Sequence, residues 1–213
     1  MVGLEPSCTA VFRSDAVELM PHDQDVQRLA AQFRTFAELL LDDTPEGWQP
    51  PRLAGSAVVQ KHCHQHAVTK YDADRELLRR AGLDADVLDE GCRGLAGNFG
   101  FERGHHALSM TIGEQGVLPA VRNAPDETLV LADGFSCRTQ IEHGGTGRRA
   151  MHLAEALALG LDGPPPAGHP ERAINRPAPA AGDARLFTAG VIAAAGAAAV
   201  VGCALLGRCR RER

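Results

Sequence analysis

The sequence predicts an α/β domain with a largely parallel sheet and helices on its faces, and three observations carry that reading. Apolar runs rich in β-branched residues alternate with segments of helical periodicity through residues 1–162. The main apolar runs each lead into a cysteine and then into a helical pattern, as strand–loop–helix units do. The clearest apolar run, TLVLADGFSC at 128–137, stands just ahead of the clearest amphipathic segment, TGRRAMHLAEALALGL at 146–161.

Taken in order, VGLEPSC gives a very short apolar start before Cys8. DVQRLAAQFRTFAELLLDD, residues 25–43, has apolar positions at helical spacing and predicts one helix. GSAVVQKHCH, residues 55–64, predicts a strand ending near Cys63. KYDADRELLRRAGL then predicts a helix with Leu77, Leu78 and Ala81 on one face and Gly82 as its stop. DADVLDEGC is a shorter strand leading to Cys92, and HHALSMTIGEQGVLPAV an interrupted helix. After TLVL, Cys137 falls in a turn before a polar segment, and the helix at 146–161 closes the domain. The sequence holds no repeat of solenoid length.

Residues 163–185 are rich in proline and alanine and read as an extended linker. Residues 186–207 carry no charge, and as a helix they would reach roughly 33 Å, enough to cross a bilayer core. They are a candidate transmembrane helix, against the alternative of an alanine-rich helix that stays out of the membrane. RCRRER at 208–213 forms a basic tail. MVGLEPSCTA has neither the basic start nor the apolar core of an export signal, so the domain is expected in the cytoplasm, anchored at its C-terminal end.

A net charge of -5 argues against nucleic acid as a partner, because phosphate binding needs a concentrated basic face. Aromatic residues make up only 4% of the chain, too few for base-stacking platforms. GLAGNFG lacks the G-x-G-x-x-G spacing of a nucleotide-binding loop.

The cysteines are the informative residues. Cys63, Cys92 and Cys137 each follow an apolar strand and precede a helix, and Cys8 has the same placement after its short start. Parallel strands joined by right-handed crossovers end on one edge of the sheet, so thiols separated by 54, 28 and 44 residues are expected to meet there. Helix N-termini on that edge favour thiolate over thiol. Soft thiolates suit iron–sulfur clusters or zinc. The alternative is four unrelated cysteines acting as small hydrophobes. His62, His64 and His66 surround Cys63; strand alternation would set them opposite its thiol, so only one or two reach a shared site, and His64 is the further candidate ligand. Arg93, beside Cys92, is expected in solvent or against a carboxylate. Cys203 and Cys209 lie too far along the chain to join the site.

EPSC, KHCHQH, GCRGLAGNFGFERGHH and LADGFSCRTQIEH, in this order, resemble the cysteine-rich (CCG) domain of FAD-linked, iron–sulfur oxidoreductases. That family includes D-lactate and glycolate oxidases, the anaerobic glycerol-3-phosphate dehydrogenase small subunit and heterodisulfide reductase subunits. The resemblance covers most of residues 3–158. It implies an iron–sulfur electron-transfer module, with Cys8, Cys63, Cys92 and Cys137 as ligands of a 4Fe–4S type cluster. FAD would sit on a partner flavoprotein dehydrogenase or on a domain upstream, and a membrane quinone or another carrier would take the electrons. Two departures stand out: Arg93 replaces the second of two adjacent cysteines, and neither a flavin domain nor a ferredoxin-type CxxCxxC run precedes the match. A zinc-bound or metal-free interaction module, or a decayed fragment that keeps the fold, is the alternative.

Overall fold

Three parallel strands organise the molecule: β3 (Gly55–Gln60) lies between β4 (Leu83–Leu88) and β5 (Leu129–Leu131). The register pairs Gly55 with Leu83 and Gln60 with Leu88 on one side, and Ala57 with Leu129 on the other. The computed structural model describes residues 1–89, 91–161, 163 and 168–174, which belong to one unit, Met1–Ile174. The transmembrane candidate at 186–207, the basic tail, Cys203 and Cys209 lie outside the described residues. Among the described residues no helix is long and apolar enough to cross a membrane.

Alternation along the strands divides the interior in two. Ala57, Val59, Leu129 and Leu131 face one core, shared with Leu77 and Leu78 of α5 (Asp72–Arg80) and with Leu153 and Leu157 of α9 (Leu153–Leu161). Val58 and Val130 face the other, with Val117, Leu118 and Val121 of α7 (Val117–Asn123) and Ile141 of α8 (Phe135–His143). Helices thus cover both faces of a parallel sheet, as the strand–helix alternation predicts. The α5 prediction also holds in detail. Leu77, Leu78 and Ala81 are fully buried, and Gly82 ends the helix at φ +84°.

Three sequence expectations are corrected. The helix expected over 25–43 is two, α3 (Gln24–Gln32) and α4 (Phe36–Asp42), separated by the two-residue strand β2 (Arg34–Thr35). Thr35 forms a capping box with Glu38, and Phe33 leaves the helix in extended geometry to be buried. The short strand β1 (Val2–Gly3) pairs with β2, so it belongs to a separate two-stranded sheet and not to the edge that bears the other cysteines. The last helix begins only at Leu153, because Met151 first bridges in parallel to Leu131 and extends the sheet.

Candidate metal centre

The connections from β3 and β4 cross on opposite faces of the sheet, through α5 and through α6 (His106–Gly113) with α7. Such a divergence opens a crevice at the C-terminal ends of the strands. A cavity of about 110 Å³, room for a group several times the size of a water molecule, lies at this edge. Its lining includes Cys63, Cys92 and Cys137, together with His62, His64, Arg93 and Ser7. Each of the three cysteines follows one strand of the central sheet, so the expected convergence holds for them. Cys8 stands apart from that lining: it is exposed, in α1 (Pro6–Ala10), after the strand of the other sheet.

The loop after β3 does not continue as a strand. Backbone at Cys63 and His64 turns helical and runs into a π-helical turn at Gln65–Thr69. The alternation argument for the histidines therefore fails. One ring nitrogen of His62, the Cys63 sulfur and one ring nitrogen of His64 lie within 4.8 Å of one another. His62 is buried and its Nδ1 accepts the His64 amide at 3.1 Å. Burial pulls its pKa down, against the nearby Glu5 carboxylate. Nδ1 of His64 is buried with no hydrogen-bond partner among the described residues.

Cys137 is placed in the first turn of α8, not in a turn ahead of a polar segment. Burial pushes its thiol up to about 12, with Cys63 adding to the rise and the Arg93 guanidinium opposing it. Partial burial and then the neighbouring Cys92 raise Cys63 as well. At Cys137 desolvation therefore outweighs the helix N-terminus expected to favour thiolate, and a cation that binds here displaces protons.

Arg93 is not in solvent. It is 5% exposed, and its Nε donates to Oε1 of Gln60, the last residue of β3. The glycine-rich loop around it serves packing first. Gly94, at φ +88°, lies so close to the Ser109 backbone of α6 that a Cβ would collide with it.

Glu5 is the site residue that sequence reasoning missed. Its carboxylate accepts the Cys8 amide at 3.0 Å and the Phe135 amide at 3.3 Å, joining the N-termini of α1 and α8. Burial raises its pKa, but these two amides, with the nearby His62 and Ser7, together hold the group below the usual range. The signal available was local: an acidic residue directly before proline, in the positions of a helix cap and its first turn.

The donor set fits a thiophilic metal group. Three cysteines and His64, whose Nδ1 lacks a hydrogen-bond partner among the described residues, line one cavity, which suits zinc or an iron–sulfur cluster. The chain is similar to D-2-hydroxyglutarate dehydrogenase of Pseudomonas putida, 28% identical over 74% of this chain and 15% of that protein. It is likewise similar to one of the subunits of the anaerobic glycerol-3-phosphate dehydrogenase of Escherichia coli, at 30% identity over 74% of this chain and 40% of that relative. D-2-hydroxyglutarate dehydrogenase of Escherichia coli matches over 38% of the chain at 35% identity. The similarity is thus to segments of oxidoreductases, and the chain spans less than half the length of these relatives. No protein-family model and no solved structure matches the chain.

Proposed function

We propose that this chain is an iron–sulfur electron-transfer module acting with an FAD-linked dehydrogenase of a 2-hydroxy acid or of glycerol 3-phosphate. The observation that carries the reading is the convergence of Cys63, Cys92 and Cys137, from the ends of three adjacent parallel strands, on one cavity. The resemblance of the surrounding motifs to the cysteine-rich domain supports it, as do the names of the similar proteins. A bound cluster would take up and release single electrons. The chain would hold it through the three thiolates, with Cys8, adjacent to the cavity-lining Ser7, as the remaining family position. Gln60 holds the Arg93 guanidinium at the cavity, where its positive charge counters the charge of the thiolates. His62, packed against Gly134, fixes the loop that carries Cys63.

The partner flavoprotein, a quinone acceptor and anchoring through residues 186–207 are parts of the same proposal. Anaerobic expression followed by iron, acid-labile sulfide and visible absorption measurements tests the core of it. A brown protein with matching iron and sulfide supports the reading, and a colourless one overturns it. Stoichiometric zinc without sulfide would favour the structural alternative, since the same donors suit that ion. Retention in the membrane pellet after alkaline carbonate supports the anchor, and release into the supernatant removes it.

A further inference from the structure

We infer that His64 supplies a ligand to the metal group through Nδ1, giving a centre of mixed thiolate and imidazole ligation in place of an all-cysteine one. This rests on the reading of the cavity as a metal centre.

Three observations lead to it. Of the four candidate thiols, Cys63, Cys92 and Cys137 line the cavity, whereas at the fourth position only the neighbouring Ser7 does, so the lining offers three thiols where four donors are needed. Two imidazoles stand at the Cys63 loop, with one nitrogen each within 4.8 Å of the other and of the Cys63 sulfur. Of these, His62 has already committed Nδ1 to the His64 amide and lies under Gly134. His64 has not. Its Nδ1 is shut off from water and has no hydrogen-bond partner among the described residues, although the residue lines the cavity. A buried acceptor left unpaired costs free energy, and a metal bond is one way to satisfy it. Across this turn the His62 and His64 rings stand 5.2 Å apart, centroid to centroid.

The consequence is electronic. A neutral imidazole in place of a thiolate makes the centre less negative, and a less negative centre is easier to reduce.

The test uses the full chain, reconstituted anaerobically with ferrous iron and sulfide, in wild type and in the His64→Cys, His64→Gln and Cys8→Ser variants. Pulsed electron paramagnetic resonance on protein carrying histidine labelled with heavy nitrogen reads ligation directly. A strong histidine nitrogen coupling in the wild type, lost in His64→Cys while the cluster is retained at a lower reduction potential, supports the inference. Retention of the cluster in Cys8→Ser supports it further. A cluster that forms without such a coupling, or one lost in Cys8→Ser and unchanged in His64→Gln, overturns His64 as ligand and leaves the electron-transfer reading standing. Failure of the wild type to assemble any cluster overturns both.

Discussion

Gly134 occupies the handover from β5 to α8, and the His62 ring fills the space where its side chain would be. A Cβ there collides with the imidazole, so Gly134→Ala must displace the ring that accepts the His64 amide. The expected cost is about 1–3 kcal/mol, as for other overpacked sites, read from the urea midpoint. A midpoint unchanged from wild type would show that the ring relaxes freely. Beneath the metal loop, the Gln65 amide donates to Asp133 at 2.9 Å and more weakly to Asp74 at 3.4 Å, while its oxygen accepts the His62 amide. Burial, and then the Asp133 charge, push the Asp74 carboxyl well above its usual range. A raised folded pKa favours folding in the acid range, and that contribution is lost as pH rises toward the shifted value. Asp74→Asn keeps an acceptor for Gln65 and removes the titration. Its melting temperature is therefore expected to exceed wild type at neutral pH, the gap closing below pH 4. A gap that is constant with pH would contradict the assignment.

At the level of elements, the break between α3 and α4 turns on Thr35. Its hydroxyl accepts the Glu38 amide, and the Glu38 carboxylate accepts the Thr35 amide and, on both oxygens, Nη1 of Arg13. Thr35→Ala is expected to cost about 1 kcal/mol in equilibrium unfolding. The apolar periodicity of residues 25–43 runs straight through this break, because Phe33, Phe36 and Leu40 keep helical spacing while the backbone between them does not. Periodicity reports which side chains face inward, not whether the chain pauses to pair with β1. The same limit hid the true placement of Cys8: a two-residue strand leaves no pattern to say which sheet it joins. By contrast, β3 and α5 are long and strongly patterned, and both are legible. Cys63, Cys92 and Cys137 were legible for the same reason, since each follows a strand of that sheet. The burial of Arg93 was not, because one of its acceptors, Gln60, lies 33 positions away in the sequence.

Across the whole molecule, packing reaches beyond residue 162. Glu171, in a short helical turn at Pro170–Ala173, pairs with Arg148 at 2.7 Å, both side chains being about 4% exposed. Arg148 also donates to the Thr128 carbonyl at the start of β5. Removing one member of a buried pair strands the other, so Glu171→Ala is expected to cost about 3–5 kcal/mol. A chain ended after residue 162 should lose as much relative to one ended after 174, measured by thermal unfolding. The two cores enclose only one of the four candidate thiols, Cys137. If the proposed metal group is bound, its removal by a chelator is therefore expected to leave the far-ultraviolet circular dichroism signal intact; collapse of that signal would mean the group holds the fold. The strand order carries a biosynthetic consequence. Since β5 pairs with β3 only after β4 and its helices have been made, the third sulfur arrives last on the ribosome. A group held by all three thiols could be seated only once Cys137 has been made. Before that, the exposed Cys63 and Cys92 are the cavity thiols within reach of a soluble oxidant, while Cys137 is buried.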